Sequence, residues 1–211
     1  MGLIFAQLGK LPSGRKLKVA MDVDDTVANM SPALQKIFRK RHGLKFDDAQ
    51  RKFDWWKGKT TDDKFVKTYS ELWSTRSNEI TPLLSRTAYS MLSEKTDFSF
   101  ISARDEKDAG SLRKWLSHNY GKGAKLTLVG SRPYSAHGTR KFEQGYDLLV
   151  DDSPHVSSTM NHPLAKGKAL LLVDKWDDAL ESRHPTNTAV VANAEHAADL
   201  IFDAHEVHHK R

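Results

Sequence analysis

The sequence predicts an α/β fold: a mostly parallel, Rossmann-like sheet with helices on both faces and a small helical cap inserted after the first strand. Three observations predict it. Short apolar and β-branched runs recur along the chain, helical patterns separate them, and one long interval of helical spacing interrupts the alternation after the first run. Strand alternating with helix favours a parallel sheet covered on both faces.

The first strand is Leu17 to Met21. Before it, Met1 to Lys16 carries Pro12-Ser13-Gly14 and is read as an N-terminal extension, residues 1–16, outside the core. Phe98 to Ser102, Leu126 to Val129, Leu148 to Val150 and Ala169 to Val173 supply further strands. Between them, Glu106 to Asn119 sets Ala109, Leu112, Trp115 and Leu116 at helical spacing, and a last helix runs from Glu195 to about Glu206. The core domain is therefore expected to comprise 17–29 and 97–211. Met30 to Thr96 is too long for a structureless loop. Leu34, Ile37 and Phe38, then Phe65, Tyr69, Leu72 and Trp73, have helical spacing, which makes residues 30–96 the cap.

Composition narrows the chemistry. The 211 residues include no cysteine, which excludes disulfides, thiolate zinc sites, iron–sulfur clusters and cysteine nucleophiles. No apolar run approaches the roughly 18 to 20 residues needed to span a membrane, and Leu3 to Leu8 is too short for a signal peptide. The expectation is a cytoplasmic protein with no membrane partner. Thirty-three lysines and arginines against 27 acids give a net charge of +6, which favours anionic partners such as nucleotides, nucleic acids or phosphorylated metabolites. Met30 to Thr96 holds 14 of the basic residues against 8 acids, while the rest of the chain is balanced at 19 against 19. The whole excess lies in the predicted cap, the expected source of attraction for an anionic substrate.

Two strands end in acids. Met21-Asp22-Val23-Asp24-Asp25-Thr26-Val27 follows the first strand, and Leu148-Leu149-Val150-Asp151-Asp152-Ser153-Pro154 closes a later one. Ligands of open α/β sheets bind at the carboxyl ends of strands. Carboxylates gathered there repel one another, and a divalent cation compensates; an all-oxygen ligand set suits Mg2+. The plainer alternative for the first cluster is an acidic turn capping the next helix. Between them, Phe98-Ser99-Phe100-Ile101-Ser102-Ala103-Arg104 ends a strand in a hydroxyl and then an arginine. Ser102 can bond a phosphate oxygen beside a helix N-terminus or serve as a helix cap. Lys141 supplies a point charge suited to phosphate.

In this order, Asp-x-Asp-x-Thr, strand-Ser, Lys and strand-Asp-Asp resemble the four motifs of the haloacid dehalogenase (HAD) superfamily over roughly Leu17 to Pro154. Within it, Lys141 to Asp152 and Glu79-Ile80-Thr81-Pro82 are similar to segments of the 5′(3′)-deoxyribonucleotidases. This chain has Asp25-Thr26 and Ser102-Ala103 where that family has Gly-Val and Thr-Ser. The resemblance implies a magnesium-dependent phosphatase with Asp22 as nucleophile and Asp24 as acid and then base. It implies a metal held by Asp22, the backbone carbonyl of Asp24, and the Asp151-Asp152 pair, with Asp152 favoured as the direct ligand. Ser102, Ala103, Arg104 and Lys141 form the expected phosphate-binding set. The expected substrate is a small phosphomonoester, in particular a nucleotide. Nucleic acid is a less favoured partner, and a homodimer is left open.

Other signals weigh less. His205-Glu206-Val207-His208-His209 matches a zinc-protease pattern, but with Lys210 and Arg211 after it no third ligand is expected downstream. Arg39-Lys40-Arg41-His42 reads as a nucleic-acid contact or a solvated helix face. Phe53, Trp55 and Trp56 fit either base stacking or a small cap core. There is no Gly-x-x-x-x-Gly-Lys loop and no Gly-x-Ser-x-Gly elbow. The leading reading, implied by the resemblance, is a phosphomonoester hydrolase of 5′-nucleotidase type. Its alternatives are a phosphatase of oligonucleotide ends or of a phosphorylated metabolite, and a non-catalytic nucleic-acid-binding protein on the same fold.

Overall fold

The structure is a computed structural model that describes residues 15–44, 55–130, 137–176, 185 and 187–209. Phe53 and most of the N-terminal extension lie outside the described residues, as do the side chains of the second half of the His-Glu-x-x-His motif.

Strand β1 (Lys18–Asp22) occupies the middle of a six-stranded sheet, with β4 (Asp97–Ser102) and β5 (Leu126–Leu128) on one side. On the other side lie β6 (Leu148–Asp151), β7 (Ala169–Val173) and β8 (Thr188–Val191). Every pairing is parallel. Central parallel strands are covered on both faces and need continuous apolar runs. Val19, Ala20 and Met21 accordingly expose nothing to solvent, and β7 is buried throughout. The chain steps outward from β1 to β4 and β5, then returns to lay β6, β7 and β8 on the opposite side. That reversal opens a crevice at the carboxyl end of β1.

Register decides which residues meet in the crevice. Met21 lies beside both Phe100 and Val150, and Asp22 beside Ile101. Asp22 and Asp151 are the next residues along β1 and β6, and Ser102 ends β4 one residue beyond the neighbour of Asp22. Side chains alternate between faces along a strand. Val19, Met21, Phe98, Phe100, Leu148 and Val150 belong to one apolar cluster, and Ala20, Ile101, Leu149 and Leu170 to another with Phe142, Val156 and Met160.

After β1 a tight turn leads to β2 (Ala28–Asn29), which pairs antiparallel with β3 (Thr81–Pro82). Between these strands lie α1 (Ser31–His42) and α2 (Asp62–Thr75). Helix α1 starts with Pro32 in its first turn, buries Ala33, Leu34, Ile37 and Phe38 at helical spacing, and stops at Gly43 with φ of 61°. Helix α2 is capped by the Thr61 side chain, which accepts from the Lys64 backbone N–H. Phe38, Trp55, Leu72 and Trp73 pack into the same cluster as one face of the sheet. Trp55 is thus a core residue, edge-on to Phe38 at 6.1 Å and to Phe65 at 6.0 Å. Helix α3 (Arg86–Lys95) packs against β4 and against α7 (Ala194–His209). Helices α4 (Ala109–Tyr120), α5 (His137–Glu143) and α6 (Pro154–Ser158) complete the layers. No helix among the described residues is long and apolar enough to cross a membrane.

Candidate active site

The turn after β1 sends its three carboxylates in three directions. Asp22, the last residue of β1, is buried. Val27 and Ala28 return their N–H groups to Val23 O at 3.0 and 2.8 Å, which folds the chain sharply back. At the bend, Asp25 adopts φ of 60°, a left-handed conformation that Asp tolerates better than most residues. Its carboxylate accepts from the backbone N–H of Met30 (3.1 Å) and Ser31 (3.0 Å), and also from the Ser31 hydroxyl and Lys175 Nζ. Asp25 therefore caps α1, as the plainer reading of the motif had it, whereas Asp22 and Asp24 do not.

Asp22 meets the end of β6. Lys141 on α5 places its buried Nζ 2.6 Å from Asp22 Oδ1 and 2.6 Å from Asp151 Oδ2. The other Asp151 oxygen accepts from the Ser153 N–H at 2.9 Å. Asp152 accepts from the Thr26 hydroxyl at 3.0 Å and from Trp176 Nε1 at 2.6 Å. One oxygen each from Asp22, Asp151 and Asp152 lie within 4.8 Å of one another, and all three residues are buried.

Electrostatics show what this cluster lacks. Burial raises Asp22 well above the usual carboxylate range; Lys141 works the other way, and Asp151, Asp152 and Asp24 add to the rise. Burial, then Asp25 and Asp151, push Asp152 up to about 7. For Lys141, burial opposes the charge, but Asp151 and Asp22 outweigh it and hold the ammonium above its ordinary value. Among the described residues, Lys141 is bonded to Asp22 and Asp151, while Lys175, which also acts on Asp152, is bonded to Asp25, so these two cations beside four carboxylates leave negative charge in excess. A hard divalent cation with oxygen ligands fits both the charge and the donor set.

The remaining predicted residues divide. Ser102, at the end of β4, is fully buried, and its hydroxyl has no hydrogen-bond partner among the described residues. A buried hydroxyl in that state is suited to a ligand oxygen. Ala103 is half-buried and can offer only its backbone. Arg104 faces Asp24, donating Nη2 to Oδ1 and Nε to Oδ2, the latter at 3.3 Å. Its guanidinium carbon lies 4.1 Å from the Trp73 ring centroid and 5.0 Å from that of Tyr69. The Tyr69 hydroxyl donates to Asp24 Oδ2 at 2.9 Å.

Sequence reasoning placed Thr26 in the Asp-x-Asp-x-Thr motif but missed Tyr69, Trp73, Lys175 and Trp176 as residues of this neighbourhood. Tyr69 and Trp73 were recognised only as part of an apolar helical pattern, because an interior helix face and a site-lining face share one periodicity. A signal existed for the last two: Val173-Asp174-Lys175-Trp176 is a further strand that ends in polar residues.

Comparison with solved structures places this architecture in a known class: the fold is that of the HAD-like hydrolases. A proposed phosphoglycolate phosphatase from Lactobacillus plantarum superposes with a TM-score of 0.62 at 13% identity, covering 90% of this chain and 99% of that one. A proposed beta-phosphoglucomutase from Bacteroides vulgatus gives 0.57 at 11% identity, covering 100% and 99%. A HAD hydrolase of family IA, variant 3, from Entamoeba histolytica gives 0.52 at 12% identity, covering 88% and 99%. No protein-family model and no curated protein sequence matches the chain. The finer likeness to 5′(3′)-deoxyribonucleotidases therefore rests on the sequence motifs alone.

Proposed function

We propose that the protein is a magnesium-dependent phosphomonoester hydrolase and, more specifically, a 5′-nucleotidase acting on (deoxy)nucleoside monophosphates. The observation that carries the phosphatase reading is the meeting of Asp22, Asp151, Asp152 and Lys141 at the carboxyl ends of β1 and β6, with Asp24 two residues beyond Asp22. The nucleotide reading draws on the motif resemblance and on the basic charge of residues 30–96. In it, those residues form a cap over the substrate.

Asp22, Asp151 and Asp152, with the Asp24 carbonyl, would hold Mg2+. When bound, the ion offsets the repulsion between an anionic nucleophile and an anionic phosphate. An Asp22 carboxylate oxygen attacks phosphorus in line; the bond to the leaving oxygen breaks, and that oxygen takes a proton from the Asp24 carboxyl. Asp24, now ionised, takes a proton from water as the water oxygen attacks phosphorus. The bond from Asp22 to phosphorus breaks, releasing inorganic phosphate and restoring the carboxylate. Lys141, already beside the attacking carboxylate, neutralises the non-bridging oxygens of the group attached there. Ser102, whose hydroxyl has no partner among the described residues, offers it to the same oxygens.

Phosphate release is to be measured with Mg2+ over nucleoside monophosphates, sugar phosphates and end-phosphorylated oligonucleotides. The expected result is release that requires Mg2+ and is fastest with nucleoside monophosphates. Preference for another member of the panel would keep the phosphatase and replace its substrate. No release from any of them would overturn the reading in favour of a binding protein on this fold.

A further inference from the structure

Asp24 is held from two parts of the chain that are distant in sequence. Arg104 comes from the loop after β4 and Tyr69 from α2. Together they donate to both oxygens of the carboxylate: Nη2 to Oδ1, and Nε with the Tyr69 hydroxyl to Oδ2. Three converging donors fix the orientation of this carboxyl group, and Oδ1, which accepts one of them, keeps a second lone pair for a proton.

The holders are themselves fixed. The Arg104 side chain is 6% exposed and lies against the rings of Trp73 and Tyr69, so its planar fork has little freedom to turn away. The Tyr69 ring is in turn stacked on Phe65, which is stacked on Trp56. Asp24 itself remains 25% exposed, the most open carboxylate of the site and one that water can reach. Arg104 gives Nε and Nη2 to Asp24, a contact beyond the phosphate-binding role the sequence suggested for it.

We propose that Arg104 and Tyr69 are positioning residues for Asp24, directing its carboxylate at the water that hydrolyses phosphorylated Asp22. The inference rests on the phosphatase reading above. In this step Asp24 removes a proton from water, the water oxygen bonds to phosphorus, and the Asp22 oxygen leaves with its electron pair. The preceding step needs Asp24 less when the leaving group is a stable anion. A substrate such as p-nitrophenyl phosphate thus separates the two halves of the reaction.

The test is rapid mixing of the magnesium-loaded full chain with p-nitrophenyl phosphate, comparing wild type with Arg104→Lys and Tyr69→Phe. Tyr69→Phe keeps the ring and removes only the hydroxyl. Thermal unfolding of each variant confirms that it is folded. The expected result is a burst of about one p-nitrophenol per site followed by slow turnover, the signature of an accumulating covalent intermediate. Steady-state kcat should fall about 10²-fold for Arg104→Lys, and less for Tyr69→Phe, with KM not raised. A raised KM with kcat unchanged would overturn the proposal and make Arg104 a substrate-binding residue. A first turnover slowed as much as the steady state, or kinetics equal to wild type, would overturn it as well. Failure of wild type to release phosphate from any substrate would instead remove the phosphatase reading on which the inference stands.

Discussion

Asp22 and Asp25 lie three residues apart and carry the same side chain, yet their hydrogen-bond partners differ. Asp22 ends a central strand and faces Lys141 and the acids of β6; Asp25 sits at a left-handed bend and is saturated by the N-terminus of α1 and by Lys175. The first belongs to a site with an excess of negative charge, the second to a closed hydrogen-bond cap. A run of acids is thus several signals superposed. Strand register selects the member that joins the buried acidic cluster, the backbone at the start of α1 takes Asp25, and the side chains of Arg104 and Tyr69 take Asp24.

The comparison can be broken most severely at Asp22. Asp22→Asn should lower magnesium-dependent phosphate release by more than about three orders of magnitude, as loss of a covalent nucleophile does. Its melting temperature should stay level or rise, because one of the crowded buried carboxylates loses its charge. Substantial retained activity would remove Asp22 from the nucleophile role.

Lys141→Ala comes next. It should weaken both phosphate binding and rate, and should destabilise the metal-free protein by roughly 3 kcal/mol by leaving Asp22 and Asp151 face to face without their cation. Added Mg2+ should restore more melting temperature in this variant than in wild type. Unchanged kinetics would mean that Lys141 serves the fold and not the phosphate. On the Asp25 side the effect is smaller and of another kind: Asp25→Ala should lose about 1–2 kcal/mol in urea unfolding, the cost of an N-terminal cap. Loss of activity with no loss of stability would move Asp25 into the site and abolish the contrast.

The smallest effect is expected at the surface. Neutralising Arg39, Lys40 and Arg41 together should weaken substrate affinity a few-fold and flatten its dependence on salt, since exposed charges act at long range and are screened. Arg41 is already paired with Glu71, which limits what that residue contributes. Unchanged affinity and salt dependence would leave the run as a solvated helix face.

The sheet was legible in the sequence because buried parallel strands must be continuous apolar runs, as in Leu148 to Val150 and Ala169 to Val173, and because two of the strands end in clusters of acids. Strand β8 was not recognised: its Thr188-Ala189 start is only half-buried and carries no such run. Strands β2 and β3 are two residues each, too short for any periodicity to show. In the site, Asp22, Asp151, Asp152 and Lys141 were found because each follows a readable strand or falls within a known spacing. Tyr69 and Trp176 were not found, because their part depends on where α2 and the end of β7 come to rest. The partner of Arg104 was equally invisible: Asp24 lies 80 residues away along the chain.

The covalent role of Asp22 is tested most directly by acid quenching of the magnesium-loaded protein during turnover of p-nitrophenyl phosphate, followed by peptide mass spectrometry. The predicted result is an acyl phosphate on the peptide carrying Asp22, absent from Asp22→Asn. Phosphate released by wild type with no phosphorylated peptide, or with the group on another residue, would contradict it.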